Sequence, residues 1–187
     1  MARKVLFNEC ALTDLKASDT EGLGVLYEDK YGRVYRFVKN VGSTALVAAG
    51  CCVKKLGQSS ALDTTKYVLS SDAATGPSTC LVTMPAGVPV TAIAASGAAT
   101  GDHGWIQVKG PAKVSMLPLS TAVNQEAGCC AISTTTAGGN WGAAVTSLIS
   151  STAGGIVNLR CVQLSEPLTE VTPATAASAY VQVRCLD

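Results

Sequence analysis

The chain has 187 residues with 14 Lys and Arg, 13 Asp and Glu, one His and a formal net charge of +1. That length suits one domain with a core large enough to fold without disulfides, and the near-balance of charge argues against a general nucleic-acid binder held by phosphate neutralisation. Charged residues make up 14%, against roughly a quarter in ordinary soluble domains; this suits a surface largely covered by partners, or a small-residue-rich β protein solvated by Ser and Thr.

Residues 1–22 are mixed in pattern and carry Arg3, Lys4, Glu9, Asp14, Lys16, Asp19 and Glu21. They read as an arm, or a first strand plus loop, ahead of a single β domain over 23–187. Met1-Ala-Arg-Lys-Val-Leu-Phe7 is basic but no sustained apolar run follows it, so a signal peptide is not expected and synthesis in the cytosol is. The least charged windows, 73–101 and 129–159, are broken by Gly, Pro, Ser and Thr, which argues against a membrane span.

Leu23–Tyr27 and Arg33–Lys39 read as a β-hairpin about the turn Glu28-Asp-Lys-Tyr-Gly32. Tyr35 and Phe37 fall on one face of the second strand, Val34 and Val38 on the other. Ala45–Val53 reads as a further strand. Residues 56–79 are polar and weakly patterned, with Tyr67-Val-Leu69 a short strand candidate. Cys80–Met84 and Val88–Ala95 read as strands separated by Pro85-Ala-Gly87, because Pro and Gly punctuate strands. Trp105–Lys109 and Ala112–Leu117 follow, split by Gly110-Pro111. Ile106 and Val108 face one way and Trp105, Gln107 and Lys109 the other, an alternation that suits burial on one face.

Residues 131–152 are rich in Ser, Thr, Gly and Ala, with Ala143–Ser150 a candidate short helix. Val157–Leu164 and Tyr180–Leu186 close the chain as strands. Val157, Leu159 and Cys161 share a face, as do Val181, Val183 and Cys185. The intervening Ser165–Ser178 contains two prolines and reads as a protruding or interfacial loop. Short strands between Gly/Pro turns predict an all-β fold, a small β-barrel or β-sandwich with at most one short helix. Ala48-Ala-Gly-Cys-Cys-Val53 echoes Glu126-Ala-Gly-Cys-Cys-Ala131, too short a match to establish a duplication.

No catalytic, cofactor-binding or metal-binding set stands out, so an enzyme is not expected. The eight cysteines, Cys10, Cys51, Cys52, Cys80, Cys129, Cys130, Cys161 and Cys185, contain no Cys-x-x-Cys spacing. The adjacent pairs are poor metal clamps, because neighbours on a strand point to opposite faces; most are expected to be small buried hydrophobes. His103 follows Asp102, but without a motif such as Gly-x-Ser-x-Gly it reads as a polar turn ahead of a strand. Gly138-Gly139 and Gly154-Gly155 lack a following Lys-Ser/Thr and read as turns, not phosphate loops. The interleaved Tyr31, Arg33, Tyr35, Arg36 and Phe37 could suit single-stranded nucleic acid, but cross-strand packing explains them better at this net charge. Trp105 and Trp141 could stack on sugars, or serve as core or interface anchors.

The order Leu-Gly-x-Leu-Tyr-Glu-Asp-x-Tyr-Gly-Arg-Val-Tyr-Arg-Phe-Val-Lys-Asn over 23–40, Ala-Ala-Gly over 48–50 and Gly-x-x-Gly-Trp-Ile-Gln-Val-Lys-Gly-Pro-Ala over 101–112 resembles small structural proteins of tailed bacteriophages, taken to be capsid decoration or cement proteins. The similarity runs over about 23–117, and Gly-Trp-Ile-Gln-Val-Lys-Gly is its most specific part. The paired cysteines depart from it. The resemblance implies a virion protein made in the host cytoplasm and seated on the exterior of an icosahedral head, with no direct contact to nucleic acid or membrane. It would bridge major capsid protein subunits as a homotrimer, with a dimer the other arrangement. Arg3, Lys4, Phe7, Trp105 and Trp141 are the expected capsid or subunit interface, with Met1–Glu21 lying on the capsid or a sister subunit. A clamp specific for the assembled lattice would stabilise it by mass action, and repeated contacts would add avidity. The alternative is a carbohydrate- or surface-binding β module of a fibre or tail, with Trp105 or Trp141 in a sugar site.

Overall fold

In the computed structural model the blocks Tyr31–Asn40 and Gly101–Gly110 become hydrogen-bonded neighbours in the wall of a closed β-barrel. The structure describes residues 11–54, 66–70, 85–117, 129–131, 141–143, 162–165 and 177–186. Ten strands and no helix occur among them: β1 Leu26–Glu28, β2 Val34–Asn40, β3 Cys52–Lys54, β4 Tyr67–Ser70, β5 Pro85–Pro89, β6 His103–Leu117, β7 Cys129–Ala131, β8 Trp141–Ala143, β9 Val162–Leu164 and β10 Ala177–Arg184. The fold is therefore all-β, and of the two architectures expected it is the barrel. The ring runs β2–β4–β3–β5–β6 and returns to β2, all antiparallel except β2 with β4.

A hairpin forms, but its first strand is Leu26–Glu28 where Leu23–Tyr27 was expected: Leu23 and Gly24 lie in a turn, with Gly22 and Gly24 at φ +89° and +85°. Asp29 organises its turn: Oδ1 accepts the amide N–H groups of Tyr31 (2.9 Å) and Arg33 (3.0 Å). Gly32, at φ +76°, supplies the left-handed step that other residues resist. Alternation along β2 then sends Val34 and Val38 into the barrel core and Tyr35 and Phe37 to the opposite face. The main core is completed by Leu46, Val53, Val68, Val88, Ile93, Ile106, Val108, Val114, Met116, Val162, Leu164, Val181 and Val183.

Three expected strand breaks or runs are corrected first, and the start of β10 after them. Pro85-Ala-Gly-Val-Pro89 is itself strand β5, buried throughout, while of Val88–Ala95 only the first two residues are strand. Proline is tolerated at a strand's first residue and beside bulges, and the β3–β5 register shifts between Cys52 and Val53. Ala45–Val53 is not one strand: Leu46 makes a single bridge to Ile93, a turn follows, and pairing resumes only at Cys52. In that turn Ala49 holds φ +57°. Its N–H donates to the Pro89 carbonyl (3.0 Å) and its carbonyl accepts from Ser115 N–H (2.8 Å), contacts that offset the strained backbone.

The third correction concerns Gly110-Pro111, which does not divide β6. This strand of 15 residues runs straight through. Gly110 takes φ +96°, and the β2 register slips opposite it, Val34 pairing Lys109 and Tyr35 pairing Gln107. The result is a bulge that bends the strand. Before the bend β6 belongs to the barrel. After it, β6 leaves with β10 and β9 as a flap whose inner face carries Ala112, Val114, Val181 and Val183. β10 begins at Ala177, so Ala177 and Ser178 are strand and not loop. Cys80–Met84, residues 144–150 of the candidate helix, Val157–Cys161 and residues 166–176 of the proline loop lie outside the described residues.

Candidate functional site

The β2–β6 wall is buried on both faces, not one. Opposite the barrel core, Tyr35, Phe37 and Trp105 form a second apolar layer, roofed by Leu12, Leu23, Val25, Tyr27 and Val90. Phe37 pairs directly with Trp105 in the register, and their rings lie 5.2 Å apart. Tyr27 meets Tyr35 at 6.1 Å in a stack and Trp105 at 6.4 Å edge-on. Trp105 is fully buried and its indole N–H has no partner. In the single chain it therefore offers no surface to a capsid neighbour or a sugar.

The roof includes part of the N-terminal segment. Lys16 pairs with His103 through two backbone hydrogen bonds, 3.1 and 3.0 Å. Gly101 lets that segment approach, since a Cβ there would meet Leu15 Cβ at 2.9 Å and Lys16 N at 3.0 Å. Of Met1–Glu21, Leu12, Leu15 and Lys16 pack on the chain's own barrel. Arg3, Lys4 and Phe7 lie outside the described residues. Trp141 is described in its backbone, as the first residue of β8, paired with Ala131 and Met116.

His103 is buried at the start of β6 and not in an open turn. Its ring stacks on Phe37 (6.1 Å), and Nδ1 lies 2.6 Å from Asp102 Oδ1. That contact lacks hydrogen-bond alignment, and Nδ1 has no other partner, so the approach is electrostatic. Asp102 Oδ2 accepts the Gly97 N–H (2.9 Å) and lies 3.7 Å from Lys39 Nζ. Burial pushes the Asp102 carboxyl up, but the Gly97 amide, His103 and Lys39 outweigh it and hold it below the usual carboxylate range. The Asp102 backbone carbonyl accepts Asn40 N–H at 2.8 Å. Among the described residues neither hydroxyl nor thiol joins these contacts, and the pair ties the 97–103 loop to β2.

Outward-facing chemistry is concentrated elsewhere. At the hairpin tip Tyr31 is 69% exposed, with Lys30 Nζ 4.9 Å and the Arg33 guanidinium 5.4 Å from its ring centre. Arg33 Nε donates to Asp29 Oδ2 at 2.6 Å. Burial pushes the Asp29 carboxyl up, but the Arg33 and Tyr31 contacts win and lower it. This makes a stiff aromatic–basic knob. Tyr180 on β10 is 52% exposed and Val47 46%. Sequence reading passed over Tyr180, although the grouping of Val181, Val183 and Cys185 already puts it on the opposite, outer face.

Cys51, Cys52 and Cys185 are buried. Burial pushes the Cys52 thiol strongly up, so it stays protonated and unreactive, as a small core residue. Among the described residues no three His, Cys, Asp or Glu side chains group as metal ligands. No protein-family model and no curated protein matches the chain.

Proposed function

We propose that the chain is a structural virion protein that decorates and stabilises the exterior of a phage head by bridging major capsid protein subunits, as a homotrimer. The observation that carries this reading is the resemblance of residues 23–117 to capsid decoration proteins. Support comes from where those residues fall: the hairpin and the Gly101–Ala112 block build one barrel wall and its tip, and the 48–50 turn bonds to Pro89 of β5 and Ser115 of β6. They are structural elements with no reactive group held ready, as a clamp requires. The exposed Tyr31 knob is a suitable contact for a neighbour, since aromatic and Arg side chains dominate interface energetics. The carbohydrate-binding alternative loses Trp105 as a platform, because that ring is covered by its own chain.

Purification of native particles, with protein identification and imaging of the chain's position, tests the proposal. Many regular copies on the head exterior are expected. A chain absent from particles and free in the lysate would overturn it.

A further inference from the structure

Past Gly110, β6 and β10 form a ribbon with one face in the core and the other open. The open face carries Lys109, Pro111 and Lys113 from β6, and Ser178, Tyr180, Gln182 and Arg184 from β10. The register sets Arg184 directly opposite Lys109 and Tyr180 opposite Lys113. At about 3.4 Å per residue the two lysines stand about 14 Å apart along the strand, and each cross-strand pair is separated by about 5 Å.

Among the described residues Lys16 lies against Asp14 (3.9 Å), Arg33 against Asp29 (2.6 Å) and Lys39 against Asp102 (3.7 Å). The carboxylates among the described residues are Asp14, Asp19, Glu21, Glu28, Asp29 and Asp102, none of them on β6, β9 or β10. Lys109, Lys113 and Arg184 make no ion pair among the described residues. Like charges directly opposite each other on a sheet are destabilising, and no carboxylate among the described residues offsets that cost for the Lys109–Arg184 pair.

We infer that the outer face of the β6–β10 ribbon docks an acidic protein surface, with partner carboxylates seated between Lys109 and Arg184 and Tyr180 packing beside them. Arg is suited to bidentate carboxylate contact, and the anion relieves the like-charge pair on binding. Nucleic acid fits less well. Three cations neutralise about three phosphates, too few for firm binding at physiological salt, on a chain of net charge +1. The inference holds whether or not the chain is a head protein.

The test titrates the full chain with fluorescein-labelled poly-L-glutamate, at low salt and again above about 0.15 M, where the screening length falls to about 8 Å. Saturable, salt-sensitive binding is expected. The triple variant Lys109→Glu, Lys113→Glu, Arg184→Glu should bind about tenfold more weakly, about 1.4 kcal/mol. The single change Lys109→Glu should weaken binding and also raise the urea midpoint of the free chain, because it turns a repulsive pair attractive. A neutral variant, Lys113→Gln with Arg184→Gln, repeats the binding test with less perturbation. Wild-type affinity in the triple variant would overturn the inference. Tighter binding to a single-stranded oligonucleotide than to polyglutamate would overturn it in favour of nucleic acid. A salt-labile oligomer without polyglutamate binding would overturn it in favour of self-association.

Discussion

Gly87 sits at the seam where β5 closes the barrel between β3 and β6, and Gly87→Ala should open that seam. Its φ is +154°, and a Cβ there would stand 2.6 Å from the Gln107 carbonyl oxygen and 3.2 Å from Ile106 Cδ1. The Ile106 contact can relax by rotation. The Gln107 oxygen cannot move freely, because Gln107 pairs with Tyr35 on one side and Val88 on the other. Backbone strain contributes about 1–3 kcal/mol and the forced contact about another 1–3 kcal/mol, so about 4 kcal/mol is expected in all. Domains of this size are stable by about 5–15 kcal/mol, so the loss is a large fraction of the total. Urea unfolding followed by far-ultraviolet circular dichroism reads it as a midpoint lowered by about 2 M, for a slope of about 2 kcal/mol/M. Gly97→Ala is the control: its φ is +79°, but nothing lies within 4 Å of the added carbon. It should lose only the backbone term, about 1–2 kcal/mol. Equal losses in the two variants would refute the argument, since β5 would then be free to shift away from β6.

The other predictions concern the corner, the aromatic layer and the 48–50 turn. Asp102 titrates below its unfolded value of about 3.9, so its contribution is full above about pH 4 and disappears as pH falls through the lower folded value. Asp102→Asn should cost about 1.5–3 kcal/mol at neutral pH and flatten the loss of stability on acidification; parallel pH profiles for variant and wild type would contradict this. Trp105→Ala should cost about 3–5 kcal/mol. Trp105→Phe should cost far less, about 1 kcal/mol, because the indole N–H it removes has no partner. Equal losses in those two unfolding curves would mean that the N–H is satisfied after all. Ala49→Gly should raise the unfolding midpoint slightly, by about 0.5 kcal/mol, as relief of the left-handed strain outweighs the added chain freedom; a lowered midpoint would count against strain at Ala49.

The twofold burial of the β2–β6 wall changes how the functional blocks are understood. On sequence Tyr35 and Phe37 are best explained by cross-strand packing, and Trp105 reads as a sugar-stacking platform or as a core or interface anchor. In the fold they are roofed by residues 12–27 of the same chain. The N-terminal segment therefore joins the domain's own packing at Leu12, Leu15 and Lys16. Among the described residues, the exposed large apolar side chains are Tyr31, Val47 and Tyr180.

The all-β class, a hairpin ending in Arg33–Lys39 and the shared faces of Val34 and Val38, Ile106 and Val108, and Val181 and Val183 were legible from sequence alone, because each rests on period-two alternation and turn chemistry within a few residues. The start of the first hairpin strand was not, since Leu26–Glu28 forms where Leu23–Tyr27 was expected. Tertiary structure alone decided that β2 lies beside β6, that the ring closes through β4, β3 and β5, and that Trp105 has cover on its second face. Those outcomes depend on contacts between residues far apart in the chain, on which local pattern is silent. It also decided the fate of Pro85, Gly87, Gly110 and Pro111. Read locally they punctuate strands, but strand pairing from both sides and two register shifts hold them inside β5 and β6. Proline and glycine mark where a chain can bend; whether it bends within a strand or ends one depends on the strands that pair with it.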